Sequence, residues 1–186
     1  MFDAQTLDDW LAHIEALHAK PIDLGLDRMK AMAGRMGLDP SPQTVITVGG
    51  TNGKGPTCAM LESIYRAAGY TTGMHTSPHL MRINERCVVN GREASDERLM
   101  EAFREVEKAR GEMTLSYFEY TALAILKIFR EENLDVVILE IGLGGRLDAI
   151  NAIDSDAAVI STSGIDHIAF LGSTREAIGL EKAHIY

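Results

Sequence analysis

The feature that most constrains this chain is a glycine-rich loop between a predicted strand and a predicted helix. The β-branched run at residues 45–48 is followed by GGTNGKG and then by a helix-like stretch at 58–68. Such a turn brings backbone N–H groups and the positive end of a helix to one point, which suits a phosphate group. Lys54 would add a positive charge beside the phosphates. The alternative is a tight turn that only needs glycine, but here a lysine and an upstream buried strand accompany the glycines.

The loop departs from the common phosphate-binding consensus GxxxxGK[ST]. It matches only as far as Lys54, because Gly55 and Pro56 stand where a hydroxyl residue is expected. Proline lacks a backbone N–H, yet it is tolerated in the first turn of a helix. We therefore expect Pro56 to preserve the fold and to lower the affinity for phosphate.

Strand-like and helix-like segments alternate along most of the chain. The predicted strands are residues 45–48, 71–76, 135–141 and 157–161, and the predicted helices are 6–18, a short one after Asp27, 58–68, 96–110, 118–131 and a last one that begins with a capping box at Ser173 and Glu176. The segment DVVILEI at 135–141 is apolar enough for a strand buried on both faces. The alternation predicts one α/β domain over residues 1–186, with a mainly parallel sheet and helices on both faces.

Two segments interrupt this alternation. Residues 84–94 are predicted to form a hairpin or an extended excursion that turns at Asn90 and Gly91. The DPSP segment at 39–42 predicts an extended entry into the first strand.

Composition excludes several classes of protein. With 186 residues, 46% of them apolar, the chain is long enough for one substantial core. Its net charge of -9 disfavours binding to nucleic acid, which needs a cationic face. The first ten residues do not resemble a secretory signal, and no apolar run reaches the length of a membrane span. We expect a cytoplasmic protein without membrane contact, with Cys58 and Cys87 as reduced thiols.

Polar side chains lie near the carboxyl ends of three predicted strands, where ligands gather in open α/β sheets. Glu140 ends the most apolar strand, and a carboxylate there is costly unless a cation such as Mg²⁺ pairs with it. Ser77 offers a hydroxyl at the end of the second strand, and His167 follows the last one. The alternatives are a glutamate bonded to the neighbouring backbone, a turn serine and a surface or capping histidine.

Several strings together resemble one family. VGGTNGKG at 48–55, HTSPHL at 75–80, LSYFEY at 115–120, LEIGLGGRLDAIN at 139–151, GIDH at 164–167 and EKA at 181–183 are similar to the folylpolyglutamate synthase family, the folate branch of the Mur-type ligases, in that family's order. The opening IDLGLDRM at 22–29 is typical of its bacterial members. The resemblance implies a P-loop NTPase-like fold of the Mur ligase central-domain type.

The resemblance also implies a reaction and its participants. ATP phosphorylates a carboxylate of dihydropteroate or a folate, and the amino group of L-glutamate then displaces the phosphate to form an amide. The implied cofactors are ATP and Mg²⁺, and the implied partners are these small molecules, with a monomer expected if the protein is complete.

Site residues follow from the matching strings. The predicted ATP-binding residues are Gly50, Thr51, Asn52, Gly53, Lys54 and Gly55, and the implied metal ligands are Ser77, Glu140 and His167. The implied contacts to the pterin or folate are Ser116, Tyr117, Phe118, Glu119, Leu147, Asp148 and Ala149. Asp148 is predicted to accept from the pterin ring, although Tyr117 and Phe118 would fit a helix core equally well. By resemblance, Lys182 would be carbamylated by CO₂ and, with Lys54, serve catalysis; otherwise it is a solvated helix lysine.

The sequence also departs from the family. Members are longer and have a separate carboxyl-terminal domain that binds glutamate, so the chain is predicted to be truncated. His184 replaces a usual glycine, and Ile168 and Ala169 replace a more polar pair. Two other functions therefore stay open: a non-catalytic nucleotide-binding remnant and a small P-loop kinase. The kinase hypothesis leaves the SPHL, YFEY and GLGGRLDAIN strings without a role.

Overall fold

The computed structural model describes residues 2–20, 22–38 and 41–186 and centres on a mixed sheet. The strands are β1 (Thr44–Gly49), β2 (Thr72–His75), β3 (Cys87–Val89), β4 (Arg92–Glu93), β5 (Val136–Glu140) and β6 (Ala157–Ile160). Their order is β4-β3-β2-β5-β1-β6, in which β2, β5, β1 and β6 are parallel and β3 and β4 are antiparallel additions. The prediction of a mainly parallel sheet is confirmed.

Helices cover this sheet on both faces, as predicted. They are α1 (Leu7–Ala16), α2 (Asp27–Met36), α3 (Lys54–Ala67), α4 (Asp96–Arg110), α5 (Tyr117–Glu131), α6 (Ile168–Leu171) and α7 (Arg175–Ala183). Short 3₁₀ turns, Ile83–Arg86 and Ala149–Ala152, precede β3 and β6.

The central strand β5 shows why both faces are covered. Successive side chains of a strand point to opposite faces, and all five residues of β5 are buried. Val137 and Leu139 join the larger apolar core beneath α1, α2, α4 and α5, whereas Val136 and Ile138 pack against α3. An uninterrupted apolar strand of this kind is stable only between two layers of helices.

Most of the predicted elements are confirmed, and several boundaries move by one or more residues. Ser95 caps α4, with its hydroxyl accepting from Arg98 N at 3.2 Å. Helix α3 begins at Lys54 instead of residue 58, so Pro56 lies in its first turn, where no helical N–H partner is lost.

The predicted capping box of the last helix is wrong by one residue. Thr174, not Ser173, has the extended backbone of an N-cap, and its hydroxyl accepts from Ala177 N at 3.2 Å. Both residues can cap a helix, and the backbone conformation selects between them.

The structure describes one of the two segments that interrupt the alternation in full and the other in part. β3 and β4 form the predicted hairpin, which turns at Asn90 and Gly91, both with positive φ. The first half of the DPSP segment, residues 39 and 40, lies outside the described residues. Within the described ranges, no helix has both the length and the apolar character needed to span a bilayer.

Candidate active site

The glycine-rich loop lies at the carboxyl edge of the sheet, between β1 and α3. Gly50 and Gly53 adopt φ values of +144° and +82°, which side-chain-bearing residues rarely adopt. A Cβ on Gly50 would also collide with Ser161 Oγ. Gly53 is the N-cap of α3, so the loop delivers the helix N-terminus to one end of the site. This geometry suits an anion.

Residues after β6 hold the loop in place. Thr51 N donates to Thr162 O at 2.8 Å, and Asn52 N donates to Thr162 Oγ1 at 3.1 Å. Ser161 Oγ donates to Asn52 O at 2.7 Å. The loop is therefore fixed by side chains about 110 residues away in sequence.

Lys54 is the first residue of α3 and folds back over the loop. Its Nζ donates to Gly50 O at 3.1 Å. Its charge also acts on other groups of the site, because it opposes the upward shift in the pKa of the Glu140 carboxyl. Lys54 thus lies between the loop and the end of β5, where a phosphate would need a positive charge.

Glu140 and Ser77 meet at the ends of β5 and β2. Ser77 N donates to Glu140 Oε2 at 2.8 Å, and Glu140 is 4% exposed. Burial raises the pKa of Glu140, while the bond from Ser77 N and the charge of Lys54 oppose the rise. The two predicted ligand residues are brought together by this backbone bond.

His167 is the third predicted ligand and does not join this pair in the structure. It is half-exposed, with its Nε2 3.6 Å from Asp166 Oδ1. Over the described ranges, no group of three or more His, Cys, Asp or Glu side chains is arranged to hold a metal ion. A site on Glu140 and Ser77 would instead use one carboxylate and one hydroxyl, both hard oxygen donors that suit Mg²⁺.

Lys182 is buried, contrary to the alternative of a solvated helix lysine. It lies on α7 with 2% exposure. Burial lowers the pKa of its amine, the charge of Lys54 adds to this effect, and Asp166 opposes it. A lowered pKa increases the neutral, nucleophilic fraction of a lysine.

A cavity of about 240 Å³ opens beside Ser77. Most of the predicted pterin contacts line it: Ser116, Phe118, Glu119, Leu147, Asp148 and Ala149. Gly142 forms part of the wall, where an added Cβ would come within 2.7 Å of Phe118 Cζ. Tyr117 is not among the lining residues, and the centre of its ring lies 5.5 Å from the guanidinium carbon of Arg86.

Asp148 is fully buried in the wall of this cavity, and its carboxylate already has two backbone partners. Oδ2 accepts from Leu143 N at 2.8 Å, and Oδ1 accepts from Ile150 N at 2.9 Å. Asp148 therefore shapes the turn after β5 as well as facing the cavity. Burial raises the pKa of Asp148 to about 6, although these backbone bonds favour its ionised form.

The raised pKa of Asp148 predicts a pH dependence of stability. Its reference pKa is 3.8, so between about pH 4 and pH 6 the folded protein retains a proton that the unfolded chain has released. The stabilisation that comes from this retained proton is fully present at acid pH. It falls by at most about 3 kcal/mol as the pH rises through 6. Carboxyl ¹³C NMR should show an aspartate titrating near pH 6 that is missing from Asp148→Asn, and titration of every aspartate below pH 5 would contradict the assignment.

The carboxylate of Glu119 also already has partners within the protein. Its Oε2 accepts from Ser116 N at 2.8 Å, which completes a capping box at the start of α5. Arg28 Nε lies 3.0 Å from its Oε1, and Arg28 Nη1 lies 2.8 Å from Asp23 Oδ2. The carboxylate thus anchors the cavity wall, and its predicted role as a direct pterin contact stays a prediction.

Sequence reasoning missed several residues that line the cavity. They include residues 22–25, Arg86, Gly142 and Leu143. Gly25 N donates to Leu147 O at 3.1 Å, which places the amino-terminal segment against the predicted pterin segment. The IDLGLDRM string was a usable signal for this segment, but nothing in the sequence indicated that it lies against residue 147.

A family comparison decides which family this is. Residues 48–186 match the model described as the Mur ligase middle domain, which covers the glycine-rich loop, the cavity residues 77–149 and α7. The chain belongs to the Mur ligase family. The resemblance inferred from the motifs is confirmed at this level.

Curated relatives of this Mur ligase family chain carry a name from folate metabolism. It is 52% identical to the dihydrofolate synthase/folylpolyglutamate synthase of Escherichia coli over 98% of this chain and 43% of that protein. It is 50% identical to the protein of the same name from Haemophilus influenzae, over 97% of this chain and 41% of that one. The chain therefore spans less than half the length of the curated relatives it matches.

Solved structures of similar proteins have the same fold. The structure of E. coli FolC in complex with DHPP and ADP matches with a TM-score of 0.97 and 50% identity over 100% of this chain and 45% of that one. A bifunctional folylpolyglutamate synthase/dihydrofolate synthase from Yersinia pestis, complexed with AMPPNP and Mn ion, matches with a TM-score of 0.93 and 47% identity, covering 100% and 46%. The prediction of a Mur ligase-type fold is confirmed.

Proposed function

We propose that this chain forms the ATP- and pterin-binding part of an ATP-dependent ligase that adds L-glutamate to dihydropteroate, tetrahydrofolate or both through an acyl phosphate. The observation that carries the proposal is the position of the cavity relative to the phosphate loop. The cavity lined by the predicted pterin contacts also reaches Ser77, whose backbone binds Glu140 beside the phosphate loop. A carboxylate bound in the cavity would therefore lie close to a nucleotide on the loop. The relatives crystallised with ADP, AMPPNP and DHPP support this reading.

The loop would bind the phosphates of ATP through residues 50–55. Its N–H groups and Lys54 would offset negative charge that develops on the transferred phosphoryl group. The substrate carboxylate attacks the γ-phosphorus, the bond to ADP breaks, and the amino group of glutamate later displaces phosphate from the acyl phosphate. No nucleophile from the protein is needed.

Ser77 and Glu140 would hold one Mg²⁺, and His167 would contribute to a second. When bound, Mg²⁺ would neutralise phosphate charge. Lys182 would form a carbamate with CO₂, and burial of its amine supports this because only the neutral amine reacts. We propose a cytoplasmic protein that acts as a monomer when complete.

Hydroxylamine trapping tests the proposal. The chain is incubated with Mg²⁺, γ-labelled ATP and dihydropteroate, and an acyl phosphate is captured as a hydroxamate. Binding of both ligands by calorimetry together with hydroxamate formation is the expected result. A labelled product stable to hydroxylamine would point to the kinase alternative, and failure to bind either ligand would contradict the proposal.

One observation favours the second candidate, a nucleotide-binding remnant. Pro56 removes a backbone N–H from the first turn of α3, beside the predicted phosphate site. In that case ATP binding should be measurable without any hydroxamate, and Pro56→Ser should tighten ATP binding without producing turnover.

A further inference from the structure

We infer that Arg86 binds the carboxylate of the pterin-bearing substrate and so selects carboxylate-bearing ligands. This inference rests on the proposed function. The observation behind it is a buried guanidinium group that lines the substrate cavity and has no carboxylate partner among the residues that the structure describes.

Arg86 is held firmly by its neighbours. It is 8% exposed and ends the 3₁₀ turn Ile83–Arg86. Its Nε donates to His79 Nδ1 at 2.8 Å, and its guanidinium carbon lies 5.5 Å from the centre of the Tyr117 ring. Its carbonyl oxygen lies 2.9 Å from His75 Nδ1. These contacts fix the plane of the guanidinium before any ligand binds.

Two other partly buried arginines provide the contrast. Arg28 is paired with the buried Glu119, and Arg110 is paired with the buried Glu107, with Arg110 Nη2 2.6 Å from Glu107 Oε1. Arg86 is more buried than either, yet none of the ion pairs found over residues 2–20, 22–38 and 41–186 includes it. The one hydrogen bond from its side chain within those ranges is that from Nε, which leaves both Nη groups available.

Over the described residues, the protein does not supply the missing negative charge. His79 accepts a hydrogen bond from Arg86 Nε on its Nδ1, and an imidazole carries no negative charge. Three acids line the cavity, and each is engaged elsewhere: Glu119 and Asp148 accept from backbone N–H groups, and Asp23 pairs with Arg28. A buried cation without a partner is costly, and an incoming carboxylate would offset that cost. A guanidinium binds a carboxylate best, through two parallel N–H bonds.

The location of Arg86 fits the reacting end of the substrate. It lines the cavity together with Ser77 and Pro78, and Ser77 contacts Glu140 at the nucleotide side. The apolar side chains of Phe118 and Leu147 also line the cavity and would accommodate the flat heterocycle. The γ-phosphate of ATP is the other anion that could approach Arg86, and the test separates the two.

The experiment compares dihydropteroate with its carboxamide, which keeps the heterocycle and loses the charge. Binding of each to the full chain is measured by calorimetry for wild type and Arg86→Gln, with thermal unfolding as a check of the fold. Wild type should prefer the carboxylate by about 10- to 100-fold, the range for a charged hydrogen-bonded pair. Arg86→Gln should lose that preference while its affinity for the carboxamide stays within about threefold.

Controls separate this role from a structural one. Arg92→Gln removes an exposed arginine from β4 and should keep the wild-type preference. Arg86→Lys should recover part of the preference. The inference is overturned if Arg86→Gln keeps the preference, weakens both ligands equally, or weakens ATP relative to ADP instead. If wild type binds neither pterin ligand, the proposed function fails as well.

Discussion

Replacing Lys54 with Met is expected to weaken binding of Mg·ATP to this chain by about 100-fold, the loss typical of a charged contact to phosphate. Lys54 Nζ already lies 3.1 Å from Gly50 O, so its side chain needs little rearrangement to reach a phosphate on the loop. Its charge also opposes the upward shift in the pKa of Glu140, and methionine would remove that effect.

Calorimetry with Mg·ATP measures the change directly. Lys30→Met is the matched control, since Lys30 is exposed on α2 and away from the loop. The control should bind ATP as wild type does. An affinity of Lys54→Met within threefold of wild type would remove Lys54 from the phosphate site.

Replacing Phe103 with Ala is expected to lower the free energy of unfolding by about 3–5 kcal/mol, because the cavity it leaves cannot collapse fully. Phe103 is fully buried on α4. Its ring lies 5.8 Å from that of Tyr120 on α5 and 6.0 Å from that of Trp10 on α1. The substitution therefore empties the junction of three helices on one face of the sheet.

Urea denaturation followed by the fluorescence of the single tryptophan measures this loss. Phe170→Ala deletes the same group from α6, where the ring is 48% exposed, and should cost less than about 1 kcal/mol. Equal losses for the two variants would contradict the described core.

The elements with strong local signals were predictable from the sequence. β5 was predicted from its apolar run, and α4 from the helix-like stretch at 96–110. The phosphate loop was predicted because glycine, lysine and the preceding strand are consecutive in the chain. In each case the deciding interactions join residues close in sequence.

What could not be predicted depends on contacts between distant residues. The cavity is closed by a bond between Gly25 and Leu147, 122 residues apart, and no local pattern encodes that contact. Asp148 was predicted to accept from the ligand, but which N–H groups it binds follows from the fold of the turn after β5. Nothing in the sequence singled out Arg86, which is buried at the end of the 3₁₀ turn Ile83–Arg86.

Hydrogen bonds join the glycine-rich loop to the residues that follow β6. Local unfolding of one segment is therefore expected to release the other. Among the described strands β6 lies at the edge of the sheet opposite β4 and pairs with β1 alone, and its last three residues are only half-buried. Edge strands fray at lower free energy than central ones. If β6 detaches, Ser161 and Thr162 leave Asn52 at the same time. The phosphate loop therefore stays ordered only as long as β6 stays paired with β1.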